Sequence, residues 1–509
     1  MELRKLRTVR RLLSLALLAV ISVLFLDPWA LLPTWVREVI TALQLLPALT
    51  KTLVSVGLWS AGAAVVILVT LLVGRVYCSS LCPLGTYQDL VIALANRGRR
   101  LRRFRYQKPP YVLQYAVLAL TVVSFLLGSL LVLDLLEPFS LYGRLVHGLA
   151  RPALVAATNG VAALLAWGGY YGVDPLPLPQ GMGAALLGTV PVLTVVTYMA
   201  ATRGRFFCNS LCPVGALLSL LARFSLVRIV INPATCKECG LCEKVCKASC
   251  IDADSKTVDY HACVSCFNCL AACPTVGLVY ARPGKRPESL PGGRRQFLAG
   301  AVAALGGALT QPADSALAAP RPVRPHPVTP PGSIGLDHFT QHCTACHLCV
   351  SVCPTQVLQP ALLDFGFAGI FQPRMDYTST YCLFECVVCT TACPSGAIMP
   401  LALEEKKRLQ LGRVRFLKDE CIVITKKTDC GACAEHCPTK AVRMVPYESL
   451  RLPETDEEIC VGCGACEKAC PTKPQKAIYV EALRVHGRAK EPPREEPQPV
   501  EGGIEEFPF

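Results

Sequence analysis

The chain has 509 residues, 52% hydrophobic and 17% charged, with a mean hydropathy of +0.41; these values exclude a disordered polypeptide and a single soluble domain. Its 29 cysteines fall in tight groups, most ending in Cys-Pro, unlike the dispersed cysteines of a small disulfide scaffold. The formal charge of +14 is uneven: residues 320–509 hold 21 Lys and Arg against 23 Asp and Glu, and the preceding residues hold 30 against 14. The basic excess therefore flanks apolar runs, as in the cytoplasmic loops of a membrane protein, and does not read as a nucleic-acid surface.

A bilayer-spanning helix needs about 20 apolar residues. Residues 12–26 (completed by 29–33), 52–74, 111–133 and 182–202 supply four such runs. Arg4, Lys5, Arg7, Arg10 and Arg11 precede the first, and a basic stretch from Arg97 to Lys108 separates the second from the third, which sets both loops in the cytoplasm. Residues 153–173, with Asn159 and several glycines, are expected to form an interfacial or re-entrant segment. The four runs contain no histidine, which argues against haem b held between two histidines in the bilayer.

Residues 74–85 read GRVYCSSLCPLG and residues 204–215 read GRFFCNSLCPVG, eight identities in twelve at an offset of 130. Each copy follows an expected span, so the two units are related halves of one bundle, and Cys78, Cys82, Cys208 and Cys212 are expected to converge. Four soft ligands there suit either an additional iron site or a redox-active dithiol.

Cys236, Cys239, Cys242 and Cys246, then Cys263, Cys266, Cys269 and Cys273, follow the two-cluster ferredoxin spacing. Three cysteines of one motif wrap a [4Fe-4S] cube and the fourth reaches the other cube, giving the sets Cys236, Cys239, Cys242 with Cys273, and Cys263, Cys266, Cys269 with Cys246. Cys250 is surplus and reads as a buried thiol. Four more groups follow: Cys343, Cys346, Cys349, Cys353; Cys382, Cys386, Cys389, Cys393; Cys421, Cys430, Cys433, Cys437; and Cys460, Cys463, Cys466, Cys470. They bring the expected count to six [4Fe-4S] clusters, with the pairing among these four motifs open. The CTACH at 343–347 matches a c-type haem attachment signature, but Cys349 and Cys353-Pro354 continue the ferredoxin spacing unbroken.

Between the two cysteine-rich regions, residues 291–319 carry Arg294-Arg295, an Ala- and Gly-rich apolar run and a small-residue cleavage pattern, the layout of a twin-arginine export signal. A Pro-rich spacer follows. The expected organisation is a transmembrane domain (1–228), a two-cluster ferredoxin (229–282), a leader and linker (283–335), a four-cluster ferredoxin (336–485) and a charged tail (486–509). The fold class is an α-helical membrane bundle of about four spans with α+β bacterial-ferredoxin-like domains.

With these motifs in this order, the chain resembles a fusion of the NapH-type membrane ferredoxins with the NapG/MauM-type ferredoxins. It departs from them in being one polypeptide, in Cys246-Lys247 where Cys-Pro is usual, and in Cys250. The resemblance implies the electron-transfer component of a quinol dehydrogenase in the bacterial inner membrane, serving a periplasmic reductase or cytochrome from a C-terminal domain in the periplasm. NosR and CcoG relatives share the Cys-Pro repeat, so a maturation or regulatory factor is the alternative. If quinol binds, the outer loop with Asp134, Glu137, Tyr142, Arg144 and His147 is the expected site. No catalytic residue can be assigned.

Overall fold

The computed structural model describes residues 2–27, 32–55, 57–96, 104–172, 175, 182–275, 277–282 and 326–491. The twin-arginine segment, the loop arginines 97–103 and most of the charged tail lie outside the described residues.

The first half is helical: α1 (Glu2–Leu26), α2 (Thr34–Ala42), α3 (Leu45–Val54), α4 (Leu58–Val73), α5 (Val76–Ser80), α6 (Pro83–Ala95), α7 (Tyr111–Leu126), α8 (Leu131–Leu136), α9 (Pro138–Leu145), α10 (Arg151–Trp167), α11 (Met182–Arg203), α12 (Phe206–Ser210) and α13 (Pro213–Ala222). Among the described residues three helical stretches are long and apolar enough to cross a membrane: Lys5–Leu26, Pro138–Trp167 and Leu186–Arg203. The expected spans at 52–74 and 111–133 fold as α4 and α7, of 16 residues each, short of the bilayer requirement.

The segment expected at the interface departs most from the sequence reading. A π-helical turn, Val146–Ala150, joins α9 to α10, and the result is a continuous helix of 30 residues. The polar groups of the preceding loop that this helix absorbs are spent on another domain: Arg151 donates from Nη1 to Ser351 O at 2.7 Å, and His147 Nδ1 lies 3.2 Å from Ser351 Oγ. A histidine therefore does occur in a helix long enough to span.

Two α+β units follow. In the first, β1 (Arg228–Ile231) pairs antiparallel with β4 (Leu278–Ala281), and β2 (Ile251–Asp252) with β3 (Thr257–Val258). In the second, β5 (Leu358–Pro360) pairs with β6 (Pro373–Met375), β7 (Leu409–Phe416) with β10 (Ile478–Arg488), and β8 (Val442–Tyr447) with β9 (Leu450–Thr455). Two-stranded sheets are marginal alone, and here the cores they cover contain the motif cysteines among aliphatic side chains. The second unit is wider than the expected 336–485. Met375 N donates to Val328 O at 2.9 Å, and Lys490 N donates to Glu458 O at 2.9 Å.

The two units occupy opposite ends of α1. Arg11 Nη2 reaches Asn268 Oδ1 of the first at 3.5 Å, while Ile21, Leu24 and Phe25 pack with Cys346 and Leu348 of the second. The fourteen-residue step from Arg11 to Phe25 corresponds to roughly 20 Å of helix.

Candidate metal centres

The first ferredoxin unit brings Cys236, Cys239, Cys242 and Cys273 around one cavity, the crossed set that the spacing predicts. Cys246, Cys263 and Cys269 share a core with Cys250, and Cys266 faces Cys246. Cys250 is buried against this second set, its sulfur 3.4 Å from that of Cys246. The loops turn tightly at left-handed residues, Gly240 at φ +65 and Phe267 at φ +60, which point successive cysteines inward.

The pairing left open by the sequence is equally crossed in the second unit. Cys353, Cys382, Cys386 and Cys389 line one cavity, and Cys421, Cys430, Cys433 and Cys470 another. Cys343, Cys346 and Cys349 face Cys393, and Cys460, Cys463 and Cys466 face Cys437. Among the described residues no three His, Cys, Asp or Glu side chains approach closely enough to close on one metal ion. Four thiols spread around a void fit a cubane cluster and not a lone zinc. Each set supplies the soft donors such a cluster needs, and a bound cluster would supply one-electron redox chemistry. His347 of the CTACH stretch is buried, with its Nε2 2.8 Å from Phe371 O.

The duplicated Cys-Pro units form a pseudo-symmetric chamber. Cys82 caps α6 and accepts from Gly85 N at 3.4 Å; Cys212 caps α13 and accepts from Gly215 N at 3.3 Å. Arg75 donates from Nη2 to Cys208 O at 3.2 Å, and Arg205 returns the bond from Nη1 to Cys78 O at 2.9 Å. Each guanidinium also reaches a thiol at 3.9 Å, Arg75 that of Cys78 and Arg205 that of Cys208. All four cysteines are buried in one core, and both arginines are fully buried. Buried cations and two helix N-termini aimed at four sulfurs favour an anionic occupant, which a thiolate-ligated cluster is. Burial opposes ionisation of Asp89, but Arg205, Lys247 and Arg10 hold its carboxyl well below the usual range, with N–O distances of 2.8–3.2 Å.

The chamber touches the first ferredoxin unit and is separated from the second by a single helix. Val264 and Cys266 belong to its core, and Asn209 Nδ2 donates to Ala262 O at 3.1 Å. On the other side Leu141 of α9 packs in the chamber core, while Phe139 and Tyr142 of the same helix pack with Cys346. One helix, about 10 Å across, thus separates the chamber from the Cys343 set. Further on, Cys382 N donates to Cys463 O at 2.9 Å, joining the Cys353 set to the Cys437 set.

Of the loop residues expected to meet quinol, Asp134, Glu137, Arg144 and His147 are buried beneath the second ferredoxin unit. Arg144 donates to Asp134 O and lies 5.1 Å from the Phe371 ring; His147 packs edge-on to His347 at 5.7 Å. Burial pushes the carboxyls of both Asp134 and Glu137 above their ordinary values. Tyr142 alone lines a cavity, of about 440 Å³, beside Ser22 and Tyr87. Sequence reasoning missed Ser22, whose only signal is its spacing of four from Leu18 and Leu26 on one face of α1.

Comparison with known families agrees with these centres. A 4Fe-4S binding domain model matches residues 56–102 and again 184–232, the two Cys-Pro units. Models of 4Fe-4S dicluster domains match 259–357, 342–398 and 426–473. The chain is therefore a protein of several ferredoxin-type 4Fe-4S domains joined to apolar helices. Among curated relatives it is similar to the uncharacterized protein MJ0749 of Methanocaldococcus jannaschii, at 26% identity over 43% of this chain and 68% of that protein. The putative electron transport protein YccM of Escherichia coli is 28% identical over 41% of this chain and 51% of its own length. The methylamine utilization ferredoxin-type protein MauM of Methylobacillus flagellatus is 32% identical over 26% and 59%. The chain thus spans only about half to two thirds of these relatives. No solved structure matches the chain.

Proposed function

We propose that the chain is a membrane-bound electron conduit, a NapH-type domain fused to a NapG/MauM-type one, carrying electrons from the quinol pool or a cytoplasmic donor to a periplasmic reductase or cytochrome. The observation that carries this reading is the unbroken succession of cysteine sets. From Cys236/Cys239/Cys242/Cys273 the line runs through the Cys246 set, the four-thiol chamber, the Cys343 set, the Cys353 set and the Cys437 set to Cys421/Cys430/Cys433/Cys470. Six sets would hold the six expected clusters. The chamber would hold one further cluster shared by the two repeat halves, a reading supported by the family match over both halves. Opposite placement of the two ferredoxin units on α1 supports one facing the cytoplasm and the other the periplasm of an inner membrane, with the Arg294-Arg295 leader between them. The protein's own residues fix the spacing and surround the centres with buried charge; the clusters would carry the electrons.

The test is iron and acid-labile sulfide content with redox-titrated EPR on anaerobically purified protein. Cys82→Ser with Cys212→Ser should remove one signal and about four irons and leave the others. Unchanged iron with lost electron flow would favour the second reading, which the gathering of these four thiols in one core supports: a NosR- or CcoG-like maturation or regulatory factor that uses them as dithiols.

A further inference from the structure

The cavity at Tyr142 lies between α1, α6 and the π-helical turn, in a part of the bundle that faces outward. Leu90 and Leu149 of its wall are exposed, as are Leu15 and Leu94 on the same faces of α1 and α6. Leu15 and Leu149 lie on two of the stretches long enough to span, and apolar leucines left uncovered there and on the adjoining face of α6 face lipid acyl chains. Its volume, about 440 Å³, is that of a small-molecule site. A π-turn in a helix frequently marks a functional position, and this one supplies Val146, Leu149 and Ala150 to the wall.

The polar end of the cavity has a defined sense. Ser22 donates its only hydroxyl proton to Leu18 O at 2.7 Å. The 2.6 Å contact between Ser22 Oγ and Tyr142 OH is therefore made with the tyrosine proton, and the phenolic oxygen is left as an acceptor. Tyr87, which also lines the cavity, is held by Thr197 at 2.8 Å and packs against both the four-thiol core and the core containing Cys346. A ligand here would sit beside two of the redox positions.

We propose that this cavity binds the ring of an isoprenoid hydroquinone entering from the lipid, with a ring hydroxyl donating to Tyr142. The proposal rests on the conduit reading and gives its donor a place distinct from the buried loop carboxylates. An acceptor at the headgroup selects the reduced ring, because a quinone carbonyl offers no proton.

The test uses full-length protein, purified anaerobically and reconstituted in nanodiscs. A photoreactive azidoquinone, reduced before illumination, should label peptides containing residues 18–26 and 142–150, with protection by decylubiquinol stronger than by decylubiquinone. Tyr142→Phe should weaken decylubiquinol by on the order of three- to tenfold, the worth of one hydrogen bond. Ser22→Ala frees the phenolic proton and should shift preference toward the oxidised ring. Leu149→Trp should fill the cavity and abolish labelling with iron content unchanged, which separates site loss from misfolding. Labelling elsewhere, or affinity indifferent to Leu149→Trp, would overturn the site and leave the conduit standing. Labelling as expected in protein whose clusters are never reduced by quinol would uphold the site and remove quinol as the donor.

Discussion

Asp89 and Lys247 tie three segments together. Lys247 stands where the ferredoxin motif ordinarily has proline, and its ammonium lies 3.2 Å from Asp89 while its carbonyl accepts from Arg205 N at 2.8 Å. The departure from the motif is thus a clamp between the first ferredoxin unit and the Cys-Pro repeat. Gly204, at φ +67, is needed for that approach, since a Cβ there would come within 2.3 Å of Lys247 O. Asp89→Asn would leave Arg205 buried with its charge uncompensated, and should destabilise this junction by about 3–5 kcal/mol, read by denaturant melts of the membrane-extracted protein.

His486 gives a pH-dependent handle in the second unit. Burial lowers its pKa to about 4, with Nε2 2.8 Å from Thr329 Oγ1. A depressed histidine is neutral when folded, so its contribution is complete above the unfolded value near 6.5 and is lost as pH falls toward 4. The full loss amounts to roughly 3 kcal/mol. Hydrogen exchange of the His486 amide, bonded to Ile334 O, should accelerate across that window and become pH-independent, beyond intrinsic exchange, in His486→Gln.

At the scale of elements, α9 holds the two halves in register. Gly143 faces Phe25 and the carbonyl of Cys346, which an added Cβ would meet at 2.6 and 2.5 Å. Gly143→Ala should therefore push the second ferredoxin unit from the helices. Iron content should stay constant while cluster-to-cluster electron transfer, followed by freeze-quench EPR, slows. Gly188 makes the matching contact with the Phe371 ring, and Gly188→Val should act in the same direction. Much of the cysteine arrangement was legible because ligand spacing is a local property: the crossed set of Cys236, Cys239, Cys242 and Cys273, and the convergence of the duplicated cysteines, follow from motif and repeat alone. The long helix through His147 and Arg151 was not legible, because the partners that neutralise its polar groups lie 200 residues or more away at Ser351. The same distance hid the burial of Asp134, Glu137 and Arg144, leaving Tyr142 as the one loop residue beside a cavity.

For the whole molecule, the cysteine line predicts about 28 irons per chain if the chamber holds a cubane, and about 24 if it does not. Its first set is the most open, with Cys239 exposed; Cys430 at the far end is half-buried, as are Cys386, Cys437 and Cys463 nearer the middle, whereas Cys346 and the chamber thiols are buried. Electrons from a quinol at the Tyr142 cavity would thus enter in the buried middle of the line, beside the chamber and the Cys343 set, and leave at an end. The crossed pairing has a further consequence for biogenesis and decay. Each cube is laced to its neighbour by a cysteine from the other's motif, so a scaffold delivering iron and sulfide to one set also draws closed the loop that presents the next. Insertion should proceed pairwise, and oxidative loss of one cube should unlace its partner. Pulsed oxygen exposure followed by native mass spectrometry should then find pairs disappearing together, with the unpaired chamber failing alone.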